Sequence, residues 1–486
     1  MKATKQKFLK QLPYLTLSFA VLLAWLPLLR DYIPVADDYV YTAILKSKGL
    51  VGYFQTFGLF RIIGHPLGIL STIYHPALYG ILVMVTHIVT VCLFFKVCQL
   101  VLQTTLVSFI LSLILAIFPW GYQAMALASC YSYVLATAIF WANLVILINF
   151  SSQDRKQNFV FFTSYCLTWL SLMSNECLVF VLAISGCIVW INKRVLSFAE
   201  VRRRAINFYS GWAPLIGVLS YAVSYCLVSH FVTTVHPVKT LHWNPESIFS
   251  VYFYQWSNIH IFQSWLNPIA RKFIFYEWSP TMLTAAGCVF VLFAACLFLL
   301  VRNNSFEQDT LYKPSKTLLL YIIALLVGAS LVHAVGGGYS LDTRKKYPLI
   351  PLLLLLLGWI WRNFAESKFK ISWKSLPLLS ILCAVGISTT WLNIGVWRYA
   401  IIRHNSLIDF LVAHNIAGNI RVEWDPDLDG VWLMNPVWRY DWDKEDWVLN
   451  AATQYKGGQP VHVTDEINSK TFQFDKNSSS WQLVKR

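Results

Sequence analysis

Two adjacent carboxylates, Asp37 and Asp38, follow shortly after the first long apolar run, which ends near Leu29. A hydroxyl is a poor nucleophile at neutral pH. Transfer of a sugar from a glycosyl phosphate therefore needs a carboxylate to take the hydroxyl proton, and cations or a metal to hold the leaving phosphate. Asp37 or Asp38 can serve as that base, and together they can take part in holding a divalent metal such as Mg or Mn. The plainer reading is that Asp38 caps a helix beginning near Tyr39. Candidate phosphate-holding cations are Arg61 and the cluster Arg344, Lys345 and Lys346. His65 stands four residues after Arg61, a spacing that puts both on one face of a helix, although Pro66 can open the next helix instead. Glu176 lies between two apolar runs with no room for a long loop. An ionisable group at such a place is costly and by default functional, so it is a second candidate acid near the metal or the acceptor. His65, His333, Tyr339 and Tyr347 complete the set as cavity-lining candidates. No GxSxG, HExxH or P-loop pattern is present, which leaves serine hydrolase, zincin and P-loop NTPase chemistry without residues.

The elements that must position these residues are set by composition. Of 486 residues 57% are hydrophobic and 13% charged, with mean hydropathy +0.53, so the chain must use lipid as part of its solvent. The formal charge of +15 is expected to mark cytoplasmic loops rather than nucleic-acid binding, for which no motif appears. A spanning helix needs about 20 apolar residues. The sequence predicts about eleven, near 11–29, 78–100, 104–121, 131–150, 159–174, 176–192, 206–230, 281–301, 317–335, 347–361 and 376–394. Lys and Arg bias in the short loops puts the N-terminus in the cytoplasm and the C-terminal segment outside. Arg344 to Lys346 then fall on the outer side against the trend, for which an anionic lipid phosphate or interfacial snorkelling are the two physical reasons. The ten cysteines all lie in or beside apolar runs, giving neither a disulfide framework nor a CxxC metal site.

Three outer segments are long enough to carry chemistry: 30–77, 231–280 and 395–486. The first reads as short interfacial amphipathic helices punctuated by Gly49 and Gly58. The second is rich in Trp and Tyr. The third reads as a small α/β domain, with strands at 420–424 and 430–434 and a helix opened by Asp443 and ending near Gly457-Gly458. The predicted fold is thus an α-helical polytopic membrane protein, with a transmembrane domain over 1–394, interfacial helices after helix 1, and a C-terminal α/β extracytoplasmic domain over 395–486.

Asp37-Asp38-Tyr39 in the first outer loop and Arg344-Lys345-Lys346-Tyr347-Pro348-Leu349-Ile350-Pro351 near a late helix, with the same domain plan, resemble the polytopic C-type (GT-C) glycosyltransferases. That superfamily includes protein O-mannosyltransferases and lipid A aminoarabinose transferases. The resemblance implies an inner (plasma) membrane enzyme that moves a sugar from a polyprenyl-phosphate donor to a glycan, lipid or protein acceptor at the extracytoplasmic face. It implies Asp37 or Asp38 as base or metal ligand and the basic group beside the lipid phosphate. Family members often show Asp-Glu where this chain has Asp37-Asp38, and here Pro348 directly follows Tyr347. Two rivals differ in kind. A lipid-linked sugar flippase would place charges in helix centres, whereas these helices are nearly free of them. A polysaccharide polymerase or ligase would place arginines in a large late outer loop, but 231–280 holds one arginine, Arg271, with Lys272 beside it and Lys239 further back.

Overall fold

The structure is a computed structural model that describes residues 2–34, 37–59, 61–119, 121–150, 156–191, 209–232, 271–302, 314–335, 347–364, 376–422, 447–464, 469–475 and 480–485. Most of them are helical. Helix α1 (Lys2–Trp25) continues into a 3-10 turn at Leu26–Leu29, and α2 (Asp37–Phe57) and α3 (Gly64–Tyr74) precede α4 (Pro76–Leu102) and α5 (Thr105–Ile117). A short α6 (Tyr122–Ala126) and a 3-10 turn at Ala128–Cys130 lead into α7 (Tyr131–Phe150), then α8 (Gln157–Ser174). After a 3-10 turn at Glu176–Leu178 come α9 (Val179–Ser185), α10 (Ile188–Ile191), α11 (Ala213–Phe231), α12 (Pro280–Arg302), α13 (Lys316–Val335), α14 (Leu349–Phe364) and α15 (Leu376–Ala413).

Among the described residues, six helical stretches are long and apolar enough to cross a membrane: Leu9–Leu29, Pro76–Leu102, Ala128–Phe150, Tyr209–Phe231, Pro280–Arg302 and Leu376–Ala413. Each of the other five predicted stretches is also helical, but shorter, broken or less apolar. Helix α5, with 13 residues, rises only about 20 Å against a hydrocarbon core of about 30 Å. Several hydroxyls inside the bundle are satisfied within their own helices, as lipid favours. Thr16, Thr90, Ser112, Thr137 and Thr168 each donate to the carbonyl four residues back, at 2.7–2.9 Å. Trp25 ties α1 to α5 by donating to the Ala116 carbonyl at 2.9 Å.

The stretch after helix 1 is helical, as its spacing predicts, and bends where its glycines stand. Gly49 (φ 64, ψ −167) kinks α2 in a conformation essentially reserved for glycine, and Gly58 (φ 60) follows its end.

The predicted domain boundary at 394–395 falls inside α15, whose 38 residues form one helix of about 57 Å. About half of it must therefore stand clear of a hydrocarbon core roughly 30 Å thick. Its end is closed by Asn415 (φ 50), with Asn415 donating to Val412 at 3.1 Å and Ile416 to Leu411 at 2.9 Å. Beyond lie β1 (Gly418–Val422), α16 (Trp447–Tyr455), β2 (Val461–Val463), β3 (Lys470–Asp475) and β4 (Ser480–Lys485). They form a sheet of order β2-β1-β3-β4, parallel except for the β3–β4 hairpin. Helix α16 ends where its glycines predict: Gly457 (φ 83) donates to Gln454 and Gly458 to Thr453, at 3.0 and 2.8 Å. The predicted strand at 430–434 and the Asp443 cap lie outside the described residues. Leu407, Ile408 and Leu411 of α15 share a buried core with Ile420, Leu449, Val461, Phe472 and Trp481, so the exposed half of α15 belongs to this sheet.

Candidate functional site

Asp38 lies in the first turn of α2 and is 1% exposed. It does not end its own helix. Its Oδ1 accepts the Ser129 amide at 2.9 Å, while the Tyr32 hydroxyl donates to Oδ2 and itself accepts the Ala128 amide at 2.8 Å. Carboxylate and phenol thus cap the 3-10 turn that opens the Ala128–Phe150 span, where free amides and the helix dipole both favour negative charge. Burial, and after it the Asp38 carboxylate, hold the Tyr32 phenol well above its ordinary pKa, so it stays protonated and donates.

The next residue turns the other way. Tyr39 is 2% exposed and sits in the core of the C-terminal sheet with Leu407, Leu411 and Phe472, its hydroxyl bonded to Asn405 of α15. Further along α2, Lys46 donates to the Tyr455 hydroxyl of α16 at 2.8 Å. One turn of α2 therefore touches the apolar bundle through Asp38 and the C-terminal sheet through Tyr39.

Arg61 and Glu176 meet each other. Arg61 donates through Nε and Nη2 to the two Glu176 oxygens at 3.0 and 2.7 Å, a bidentate pair, and its guanidinium lies 5.2 Å from the Tyr133 ring centroid. The predicted shared helical face is replaced by a turn. Arg61 has φ 48, outside any helix, and α3 starts only at Gly64, but the turn folds back so that Arg61 Nη1 lies 3.3 Å from His65 Nε2. Burial opposes the Arg61 charge, yet Glu176 and then Tyr133 outweigh it and hold its pKa well above the ordinary value. Because Arg61 can only donate, His65 Nε2 accepts and Nδ1 carries the proton, which it gives to the Tyr53 hydroxyl 3.2 Å away. His65 is 2% exposed, so it braces this network rather than facing open solvent. Glu176 opens a 3-10 turn capped by Asn175, whose Oδ1 accepts the Cys177 amide at 2.9 Å and whose Nδ2 donates to Ser132 Oγ at 3.0 Å.

These contacts converge on the start of α7. Asp38 binds at Ser129, Asn175 at Ser132 and Arg61 at the Tyr133 hydroxyl, so the two charged groups attach to residues about one helical turn apart in the chain. Tyr41, one turn after Asp38, lies 4.8 Å from the His65 ring and closes the gap from the α2 side. The approach depends on Gly64, since a Cβ there would stand 2.6 Å from Ser132 Cα and 2.8 Å from the Ser174 carbonyl oxygen. Gly64→Ala is therefore expected to cost about 1–3 kcal/mol in thermal unfolding. A wild-type midpoint in that variant would show that the turn does not need this contact.

Tyr347 is buried in the helix core. It is 2% exposed, its hydroxyl is 2.7 Å from His87 Nδ1, and its backbone packs on Gly121 (φ 81), where a Cβ would lie 2.9 Å from Tyr347 Cα. The Asp37 and His333 side chains, and Tyr339, Arg344, Lys345 and Lys346 altogether, lie outside the described residues. Among the described residues no group of three or more His, Cys, Asp or Glu side chains is arranged to hold a metal, and both Asp38 oxygens are engaged by Tyr32 and Ser129.

Tyr32, Asn175, Tyr133 and Asn405 do not stand out in the sequence. Only Asn175 carries a local signal, an Asn directly before an acid, which is a cap pattern. The chain matches no protein-family model and no curated protein.

Proposed function

We propose that the protein is an integral-membrane glycosyltransferase with about eleven transmembrane helices. It moves a sugar from a polyprenyl-phosphate donor to a glycan, lipid or protein acceptor at the extracytoplasmic face. The observation that carries this reading is that Asp38 caps the opening of one spanning helix at Ser129 while Arg61, paired with Glu176, reaches Tyr133 four residues further on. A membrane protein has little reason to gather two acids and an arginine at one end of an apolar helix unless polar chemistry occurs there.

In this reading the acceptor oxygen attacks the anomeric carbon of the donor. A new C–O bond forms as the bond from that carbon to the phosphate oxygen breaks, and the prenyl phosphate leaves with the electron pair. The hydroxyl proton passes to a carboxylate. Asp38, held by two donors, fixes the start of α2 on Ser129, and Asp37 beside it takes the proton. Glu176 keeps one face of its carboxylate on Arg61 and offers the rest to sugar or acceptor hydroxyls, since its side chain is 37% exposed. The Arg344–Lys346 cluster holds the lipid phosphate.

The deciding experiment uses purified protein in vesicles with a polyprenyl-phosphate donor carrying a labelled sugar. Covalent transfer to an added acceptor extract, lost in Asp37→Asn, is the expected result. Movement of intact labelled lipid between leaflets without transfer would instead make the protein a flippase.

A further inference from the structure

A second charged group lies apart from this site and is independent of the transferase reading. Arg30 directly follows the Leu9–Leu29 span, and Arg398 lies in α15, where the 22 residues from Leu376 rise about 33 Å. Both helices thus reach the edge of a hydrocarbon core of about 30 Å at an arginine. The two guanidiniums share one acid. Arg398 Nε donates to Glu277 Oε2 at 2.6 Å and Arg30 Nη1 reaches the same oxygen at 3.4 Å. Among the described residues their other contacts are with uncharged acceptors: Arg30 with the Tyr276 carbonyl at 2.7 Å and Met282 Sδ at 3.1 Å, Arg398 with the Asp31 carbonyl at 2.9 Å. The Asp31 carboxylate makes no ion pair among the described residues. Glu277 is held at φ 55, a backbone conformation that a non-glycine residue adopts at a cost.

Three features leave this group short of negative charge. Two arginines face one carboxylate, and the same segment begins with Arg271 and Lys272. Arg30 Nη2 is buried, on a side chain only 9% exposed, and finds no acceptor among the described residues. Burial, and then the Arg398 charge, pull Arg30 below an arginine's ordinary pKa, against which Glu277 pushes back only in part. The surroundings are interfacial in composition: the Trp278 and Trp391 rings pack at a tilt with centroids 4.7 Å apart, and Tyr276 packs edge-on against Tyr399 at 5.5 Å.

We propose that Arg30 and Arg398, with Glu277 as a removable counter-ion, form a binding site for a phosphate group at the membrane boundary, its natural occupant the headgroup of an anionic lipid. Guanidinium matches phosphate oxygens bidentately. A phosphate arriving at the hydrocarbon edge supplies the missing acceptor, with its acyl chains beside α1 and α15.

The test measures thermal stabilisation of the full chain in detergent on adding phosphatidylglycerol, with phosphatidylcholine and inorganic phosphate as parallel arms. Wild type should gain stability from phosphatidylglycerol, and Arg398→Gln should weaken that apparent affinity about ten-fold. Glu277→Gln separates a site from a structural ion pair. Removing the competing carboxylate should preserve or strengthen the lipid response even as it lowers the lipid-free midpoint. An Arg398→Gln response equal to wild type, or a Glu277→Gln response lost as fully as in Arg398→Gln, would overturn the proposal. Equal stabilisation by inorganic phosphate, abolished in Arg398→Gln, would keep the anion site and overturn the lipid as its occupant.

Discussion

Asp38→Ala is expected to lower unfolding stability by about 2–6 kcal/mol and, on the proposed function, to abolish sugar transfer. The substitution leaves two buried donors, the Ser129 amide and the Tyr32 hydroxyl, without their acceptor, at about 1–3 kcal/mol each. Against a total stability of roughly 5–15 kcal/mol that is a large loss. Asp38→Asn is the sharper variant. Its carbonyl oxygen still accepts from Ser129, while its amide faces a hydroxyl that already accepts from Ala128, so about half the loss is expected. With α2 displaced by even 1 Å, transfer should fall about 100-fold. Tyr32→Phe should be non-additive with Asp38→Asn, because both act on one hydrogen-bonded unit. Denaturant titration of the four proteins checks the cycle, and a wild-type midpoint for Asp38→Ala would refute the anchoring role.

The Arg61 and Glu176 pair gives the second large effect. Removing one partner of a fully buried pair costs about 3–5 kcal/mol, but Glu176 is more than one-third exposed, so about 1–3 kcal/mol is expected for Arg61→Ala. The backbone adds a signature that a simple loss of charge does not have. Arg61 stands at φ 48, which favours glycine, so Arg61→Gly should be more stable than Arg61→Ala by about 1 kcal/mol despite glycine's greater flexibility. Both should lose transfer to a similar degree, since neither keeps the bidentate hold on Glu176. If the Ala variant proves the more stable, the left-handed turn is not set by this residue.

Much of the architecture was legible because lipid imposes a coarse rule on sequence: backbone polar groups must be paired, so long apolar runs become helices. Runs near 78–100 and 131–150 obey it nearly to the residue. Length is less legible than position. Helix α15 continues past the end of its apolar run through Arg398, Arg403 and His404, because its second half is covered by a sheet rather than by lipid. The Asp37-Asp38 signal, the Arg61 signal and the Glu176 signal were visible as charged residues among apolar ones. Their mutual geometry was not. The contact of Arg61 with His65 arises from a left-handed turn rather than from helical spacing, and Arg61 with Glu176 joins segments 115 residues apart. Tyr347 follows a basic cluster and reads as part of it, yet its environment is decided by Gly121 and His87, which no local pattern connects to it.

The seat of Tyr39 also sets an order of events during synthesis. Its partner Asn405 is 366 residues downstream, whereas Ser129, which receives Asp38, is only 91 away. At about 5–20 residues per second the Asp38 contact becomes available after about 5–20 s and the Tyr39 contact only after about 20–70 s. During that interval α2 is pinned at one side and bare at the other, with Tyr39 lacking the core it later joins. A chain that stalls before Asn405 keeps its first loop in this half-seated state, so the fold itself withholds a finished site from incomplete molecules.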